Sequence, residues 1–152
     1  MDFEATEVTA YLHQHIPITR AMQLQVLPAE KEKLRLTAAL APNLNHQETA
    51  FGGSIASIGI LAGWTLIHLR LHNSERRFKI VIQKSEIEFL RPIEDDFHAE
   101  CTIPNEELWE LFAKSLERKG RARIELEPQV TVNGQVAATI RGTFVARALT
   151  GQ

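Results

Sequence analysis

The sequence predicts an α+β fold in which an antiparallel sheet of about six strands curls around one long central helix. Several segments alternate apolar and polar residues, which is the period of a strand with one buried face. One segment, Ser54–Leu71, is apolar on all sides, as expected for a helix that other elements surround. The predicted order is helix, two strands, long helix, two strands, short helix and two strands, which suits an α+β architecture.

Length and composition bound the kind of protein. The 152 residues contain no repeat, low-complexity tract or linker, so we predict one domain over residues 1–152. The net charge of −2, without a basic block, gives nucleic-acid binding little support. The single cysteine, Cys101, excludes an intramolecular disulfide and fits a reducing, cytoplasmic setting.

No membrane association is predicted. The acidic start, Met1–Glu4, does not resemble a signal peptide. Ser54–Leu71 is at the lower length limit for a membrane span and is interrupted by polar residues and glycines. A buried central helix explains this segment better.

The first elements predicted are a helix that Pro17 ends and a hairpin after it. The helix has apolar residues at helical spacing, namely Val8, Leu12 and Ile16. Met22–Val26 and Leu34–Leu40 then alternate as strands do, and Pro28–Glu32 between them is turn-like.

The strand predicted over Phe78–Phe89 changes the parity of its apolar residues partway along. A bulge near Gln83–Ser85 would reconcile the two halves. A strand that buries first one face and then the other would also do so.

The last third is predicted to contain a strand, a helix and a hairpin. Phe97–Ile103 alternates, Asn105 is a good helix cap, and Gly120 should end that helix. Alternating strands then flank Asn133-Gly134, the strongest hairpin signal in the chain.

The segment most informative about function is polar and lies immediately before the central helix, over Asn43–Ser54. A helix start leaves backbone N–H groups unpaired and carries partial positive charge. Gly52 and Gly53 would let a ligand approach that backbone closely, which suits a carbonyl oxygen that becomes negative during a reaction. The alternative is a tight turn at the two glycines with Ser54 as the helix cap.

The pattern Asn-His-x-x-Thr-x-Phe-Gly-Gly-Ser over Asn45–Ser54, followed by Gly63-Trp64, resembles the thioesterases of the hotdog superfamily. The group related to the C-terminal domain of YiiD is the best match. Phe89–Ile93 resembles the aromatic-x-Arg-Pro segment of hotdog thioesterases. The resemblance spans nearly the whole chain. It implies a hotdog fold, a homodimer or dimer of dimers, and a thioester of coenzyme A or acyl carrier protein as ligand.

The chain departs from that family pattern in its central helix. Many hotdog thioesterases carry an Asp or Glu there, whereas Ser54–Leu71 has no carboxylate and Ile60 lies near the expected position. Either the base comes from elsewhere, or hydrolysis is poor, or the protein only binds its ligand. The same absence argues against a hotdog hydratase or dehydratase.

Three loop residues are the candidates for catalysis beside the amide of Gly53. His46 is the first candidate for activating water, because histidine suits general-base work near neutral pH, and its alternative is a structural hydrogen bond. Asn45 would orient a water or bond the carbonyl, or else close the loop as an Asx turn. Glu48, the only carboxylate in the loop, is the second candidate base, or else a solvated side chain.

Several neighbours are predicted to line a substrate site rather than to react. Each has a purely structural alternative, such as loop bonding, helix capping or core packing. These residues are Thr49, Phe51, Gly52, Ser54 and Ser57. No serine triad is legible, Cys101 is interpreted as an inert buried thiol, and the histidine spacing predicts no metal site.

The sequence therefore predicts an acyl thioester hydrolase that needs no cofactor. Its substrate would be an acyl thioester of coenzyme A or of acyl carrier protein. The amides of Gly52 and Gly53 would polarise the carbonyl, and His46, helped by Asn45 or replaced by Glu48, would activate water. The rival interpretations are a non-catalytic acyl-CoA-binding module and a hotdog hydratase or dehydratase.

Overall fold

The computed structural model describes residues 1–30 and 32–150. Its elements follow the predicted order, except that a helical turn, Ile18–Ala21, precedes the first strand. That strand covers only Gln25–Val26 of the predicted Met22–Val26, because Met22 has a helical backbone conformation and Gln23 has φ of 52°. Lys31, in the predicted turn Pro28–Glu32, lies outside the described residues, as do residues 151–152 at the end of the predicted domain. A short 3₁₀ turn covers Ala41–Asn43. The helices and strands are α1 (Ala5–His15), α2 (Ile18–Ala21), β1 (Gln25–Val26), β2 (Lys33–Ala38), α3 (Gly52–Leu71), β3 (Phe78–Phe89), β4 (Phe97–Thr102), α4 (Glu106–Lys119), β5 (Arg121–Leu126), β6 (Gln129–Val132) and β7 (Gln135–Ala148).

The strands form one antiparallel sheet in the order β1-β2-β4-β6-β7-β3, with β5 also paired to β7. The α+β class with a central helix is confirmed, with seven strands where about six were predicted. The difference arises at Pro128, which has no N–H to donate and interrupts what is otherwise one strand. β5 and β6 pair with successive parts of β7, through Leu126 opposite Gly142 and Gln129 opposite Thr139. The hairpin predicted at Asn133-Gly134 joins β6 to β7, with φ of 49° and 75° at the two residues.

The central helix α3 lies against the concave face of this sheet and contacts β2, β3, β4, β6 and β7. It begins at Gly52, two residues before the predicted Ser54. By length and composition it is the one helix among the described residues that could cross a membrane, and half of its most apolar window is buried inside the protein. Its buried side chains are those of a core helix, namely Ile55, Ile58, Leu61, Ala62, Thr65, Leu66 and Ile67.

Two glycines set how closely α3 approaches the sheet. A Cβ added at Gly59 would collide with the Ile140 side chain, and one at Gly63 would collide with the Phe144 ring. Both partners are buried residues of β7. Both glycines lie within the helix and have ordinary helical backbone conformation. Glycine is therefore needed here because it leaves room for the β7 side chains, and not because of its conformational freedom.

Strand β3 is the last strand at one side of the sheet. Within residues 1–30 and 32–150, its outer edge has no strand partner. Its pairing with β7 shifts between Ile82 and Lys84, so the bulge predicted near Gln83–Ser85 is confirmed. The bulge moves the parity of the strand by one residue, which explains why the apolar positions change along it.

Helix α4 carries both predicted end signals. The Asn105 side chain accepts a hydrogen bond of 2.7 Å from the Leu108 amide, and Gly120 ends the helix with φ of 68°. The Arg70 guanidinium joins α3 to the start of α4, because it pairs with the Glu106 carboxylate at 2.8 Å and lies 4.7 Å from the Trp109 ring centre. This pair lowers the pKa of Glu106.

A column of stacked rings fastens α1 to the second half of α3. The His68 ring lies 5.0 Å from Trp64 and 4.8 Å from Tyr11, and Tyr11 in turn lies 4.3 Å from His15. The Trp64 indole N–H donates to the Ile80 carbonyl at 3.0 Å, so the column also reaches β3. His68 is thus held between two aromatic rings and is half-buried.

We expect Gly63→Ala to destabilise the protein although alanine favours helices. Helix propensity alone would raise the free energy of unfolding by about 1 kcal/mol. The collision with the Phe144 ring should outweigh it and leave a net loss of about 1 to 2 kcal/mol. Urea unfolding measures the difference, and Gly52→Ala is the matched control, because a Cβ there would lie 3.7 Å from its nearest neighbour. Equal or greater stability of Gly63→Ala would contradict the packing argument.

Acid should weaken the ring column. Burial lowers the pKa of His68 below its usual value of 6.5, and the neighbouring His72 and His15 lower it further. The unfolded chain therefore binds a proton at His68 more strongly than the folded chain does. The contribution of neutral His68 to stability is present above about pH 6.5 and is lost as the pH falls below that value. We expect the free energy of unfolding in urea to drop between about pH 7.5 and pH 5.5. His68→Phe, which keeps a ring but cannot titrate, should show a smaller drop, and an equal drop would exclude His68 as its source.

Candidate active site

The polar loop before α3 is anchored by Asn43, which is buried. Its side-chain amide donates to the Met22 carbonyl at 2.9 Å and to the Ala39 carbonyl at 2.7 Å. Its own carbonyl accepts from the Phe51 amide at 2.7 Å. Sequence reasoning did not single out Asn43, because nothing in the pattern distinguishes this buried asparagine from the exposed polar residues around it.

Asn45 closes the loop from within, as an Asx turn does. Its side-chain oxygen accepts from the amides of Gln47 at 2.8 Å and Thr49 at 3.2 Å. Its side-chain nitrogen donates to the Thr49 hydroxyl oxygen at 2.9 Å. The structural alternative for Asn45 is therefore realised in this chain, and its catalytic role stays a prediction.

The two candidate bases, His46 and Glu48, lie on the exposed side of the loop. The His46 Nε2 atom is 3.2 Å from the side-chain nitrogen of Gln47. Glu48 has φ of 62°, a left-handed conformation that costs a non-glycine residue roughly 1 to 3 kcal/mol. The turn that Asn45 closes therefore has a carboxylate residue, Glu48, in its left-handed position, shortly before the start of α3.

The start of α3 leaves two amides available. Phe51 is the N-cap, without a side-chain cap, so Ser54 does not cap the helix. The amides of Ser54 and Ile55 both donate to the Phe51 carbonyl, at 2.9 and 3.1 Å. Among residues 1–30 and 32–150, the amides of Gly52 and Gly53 donate to no acceptor. Two adjacent donors at the positive end of a long helix are suited to bind a carbonyl oxygen.

The rings of Phe51 and Phe89 border these amides, and we call these two residues, together with the exposed Leu90 that follows Phe89 in the chain, the apolar rim. The Phe51 ring lies where a Cβ of Gly53 would be, and the Phe89 ring lies 3.7 Å from where a Cβ of Gly52 would be. The rim side chains are 56%, 55% and 49% exposed. Phe51 was predicted from sequence, whereas Phe89 reaches the glycines only through the fold.

The two sequence segments that resemble hotdog thioesterases meet at this place. The Ala50 amide donates to the Ile93 carbonyl at 2.8 Å, which joins the loop to the Arg-Pro segment. The Arg91 side chain donates to the Val136 carbonyl at 3.0 Å, and its backbone amide donates to the Ala137 carbonyl at 3.3 Å. Arg91 therefore holds the end of β3 against the β6–β7 hairpin.

The remaining predicted residues lie along the first turns of α3. The Ser57 hydroxyl donates back to the Gly53 carbonyl at 2.7 Å, and both Ser54 and Ser57 are half-buried. Ile60, one turn further along, is also half-buried. Cys101 lies apart in the core, where burial raises the pKa of its thiol to about 12, which agrees with its interpretation as inert.

Comparison with solved structures identifies similar folds. A protein of unknown function from Chlorobaculum tepidum is 26% identical, with a TM-score of 0.86 and 93% of each chain covered. A structure described as a putative thioesterase from Shewanella oneidensis is 26% identical, with a TM-score of 0.81, covering 94% of this chain and 96% of that one. A thioesterase from Haemophilus influenzae, 12% identical with a TM-score of 0.78, covers 100% and 96% of the two chains and shows likeness of fold.

Residues 5–148 match the family described as "Putative thioesterase (yiiD_Cterm)". This match supports thioester hydrolysis as the general activity. It agrees with the resemblance carried by Asn45–Ser54 and with the hotdog architecture of a sheet wrapped around a central helix. Because the match covers nearly the whole chain, the protein belongs to the YiiD C-terminal-domain thioesterase family and has the hotdog fold.

Proposed function

We propose that this protein hydrolyses acyl thioesters of coenzyme A or of an acyl carrier protein. The observation that carries the proposal is the pair of unpartnered amides of Gly52 and Gly53 at the start of α3. They are bordered by the apolar rim, which suits an acyl group, and they belong to a chain of a thioesterase family.

The amides would bind the thioester carbonyl oxygen, which gains negative charge as water attacks the carbonyl carbon. A C–O bond forms, the C–S bond breaks, and the thiolate leaves and takes up a proton. The fixed N–H groups and the helix dipole stabilise the negative oxygen more than the neutral carbonyl, so they lower the barrier rather than only bind substrate.

The proton of the attacking water would pass to a base on the loop, with His46 as first candidate and Glu48 as second. Asn45 would act on the site through Thr49. Because the Thr49 hydroxyl oxygen accepts from the Asn45 side chain, its own proton remains free to donate toward the bound carbonyl or the water. Gly52, Phe51, Ser54 and Ser57 would contact the substrate.

The alternative is a protein that binds acyl-CoA without hydrolysing it. It is favoured by the absence of a carboxylate from Gly52–Leu71, where Ile60 stands, and by the exposure of both candidate bases. The same absence disfavours a hydratase or dehydratase, which would need an acid in that helix.

We further propose that the site is completed by a second copy of the chain, in a homodimer or dimer of dimers in the cytoplasm. The free edge of β3 offers unpaired backbone groups, and the exposed apolar rim lies at the end of the same strand. Antiparallel pairing of two β3 strands about a two-fold axis would satisfy that edge and shield the rim from water.

A panel of acyl-CoA and acyl carrier protein substrates, with thiol release followed by a chromogenic disulfide reagent, tests the activity. His46→Ala should lower kcat/KM at least tenfold, because general-base contributions are typically about 10² or more. Glu48→Gln, assayed in parallel, distinguishes the two bases. His72→Ala is the matched control, since His72 lies at the other end of α3.

No turnover of any substrate, with measurable acyl-CoA binding, would replace the hydrolase by the binding module. A normal rate in His46→Ala with a reduced rate in Glu48→Gln would assign the base to Glu48. Normal rates in both variants would remove the loop from proton transfer.

Phe89→Asp should dissociate the proposed dimer, because it places a charge on the exposed apolar rim at the β3 edge. Sedimentation or light scattering gives the mass. Leu111→Asp is the matched control, since Leu111 is 65% exposed on α4, away from that edge. A monomeric wild-type protein, or equal dissociation by both variants, would contradict assembly through β3.

A further inference from the structure

A groove of about 1290 Å³ lies where the α3–β3 connection, the end of α4 and the end of β7 meet. Four cationic side chains line it, and among the described residues Glu75 is the carboxylate beside them. We call this the basic groove, and its cations are Arg76, Arg77, Lys119 and Arg147.

The backbone that carries these cations is tied together by hydrogen bonds. The Ala148 amide donates to the Gly120 carbonyl at 2.8 Å, and the Leu149 amide donates to the Arg77 carbonyl at 2.9 Å. The Arg76 guanidinium donates to the Glu117 carbonyl at 3.2 Å. The three segments therefore hold the backbone positions of these residues next to one another before any ligand binds, so the cations need little rearrangement of the chain to meet one ligand.

A row of like charges crosses the sheet at the edge of the groove. Arg147 of β7 lies directly opposite Arg121 of β5 on one side and Lys79 of β3 on the other. All three side chains are exposed. Like charges directly opposite on neighbouring strands destabilise a sheet. This arrangement lowers the stability of the free protein.

Among the described residues, carboxylates pair with six side-chain cations elsewhere on the surface. Among residues 1–30 and 32–150, no ion pair involves a cation of the basic groove or of the adjacent row. The side-chain cations that do pair with carboxylates are Lys33, Arg35, Arg70, Lys84, Lys114 and Arg141. At one end of a chain whose net charge is −2, cations thus outnumber carboxylates and form no ion pair among the described residues.

The basic groove is distant from the candidate active site of the same chain. Lys79, opposite Arg147, and Phe89, beside Gly52, are at the two ends of β3. At about 3.3 Å for each residue, the ten intervening steps separate them by about 33 Å. A ligand in the groove of one chain therefore lies well away from the glycine amides of that same chain.

We propose that the basic groove binds a phosphorylated organic anion of nucleotide size that carries two or more phosphate charges. Guanidinium groups present paired N–H donors that match phosphate oxygens, and three of the four lining cations are arginines. The volume exceeds the roughly 300 to 1,000 Å³ of common ligand pockets, so a nucleotide fits. This site is additional to the proposed hydrolase activity and does not depend on it.

A small anion fits the charge distribution better than a nucleic acid does. The row of Arg121, Arg147 and Lys79 lies at one end of the sheet face that carries it. Further along this face, beyond Arg123 and Lys84, four carboxylates accompany Arg141, namely Glu86, Glu88, Glu125 and Glu127. A nucleic-acid strand that extended beyond the groove would meet these carboxylates, whereas affinity for nucleic acid grows with the number of phosphates neutralised.

Calorimetry at low salt with sodium pyrophosphate, ADP and coenzyme A tests the proposal and separates a free nucleotide from the phosphorylated end of coenzyme A. Combining Arg147→Ser with Lys119→Gln should weaken binding of each at least tenfold, because charge-assisted bonds to phosphate are lost. Arg141→Gln is the matched control, since Arg141 lies on the same strand and pairs with Glu125 and Glu127. The Arg141→Gln variant should bind all three ligands with the affinity of the wild type.

Failure of pyrophosphate and ADP to bind at about millimolar concentration would overturn the proposal, as would equal weakening by Arg141→Gln. Tighter binding of a 20-nucleotide single-stranded DNA, lost in the double variant, would identify a nucleic-acid surface instead. Hydrolysis of an N-acetylcysteamine thioester, which has no phosphate, should be unchanged in the double variant. Its absence from the wild type would refute the proposed hydrolase and leave the groove unaffected.

Discussion

A helix without a polar face must be enclosed, and α3 achieves this by lying against the concave face of a single antiparallel sheet. The close approach depends on Gly59 and Gly63, where the side chains of Ile140 and Phe144 occupy the space that a Cβ would need. This contact fixes how closely α3 packs against β7. The rest of the molecule is arranged around it.

Burying the body of α3 brings its first turn to the end of β3, with consequences for function. The amides of Gly52 and Gly53 are held next to the apolar rim and the loop, and the loop is fastened by Asn43 and Asn45 through its own polar groups. The supporting side chains are thus hydrogen-bonded, while the amides and both candidate bases remain accessible. That division is what a site for an acyl thioester requires, because the ligand must supply the missing acceptor.

The two ends of the sheet differ in chemical character. One end carries the glycine amides and apolar side chains, and the other carries Arg147 with its cationic neighbours. The strand β3 connects them, and one of its edges has no strand partner among the residues that the structure describes. Assembly through that edge would bring each end of one copy near the opposite end of its partner, so the two features can be related in an oligomer although they are separate in one chain.

The sequence by itself determined the elements of this protein and the location of its loop. Strand alternation, the Asn105 cap, the Gly120 end and the Asn133-Gly134 turn are local signals, so they could be read without the fold, and the parity change in β3 indicated its bulge. Only the tertiary structure decided which distant groups meet. Phe89 beside Gly52, the burial of Asn43 and the row through Arg147 depend on strand register and packing, which combine residues far apart in the chain. The break at Pro128 became visible only because β5 and β6 share β7 as partner.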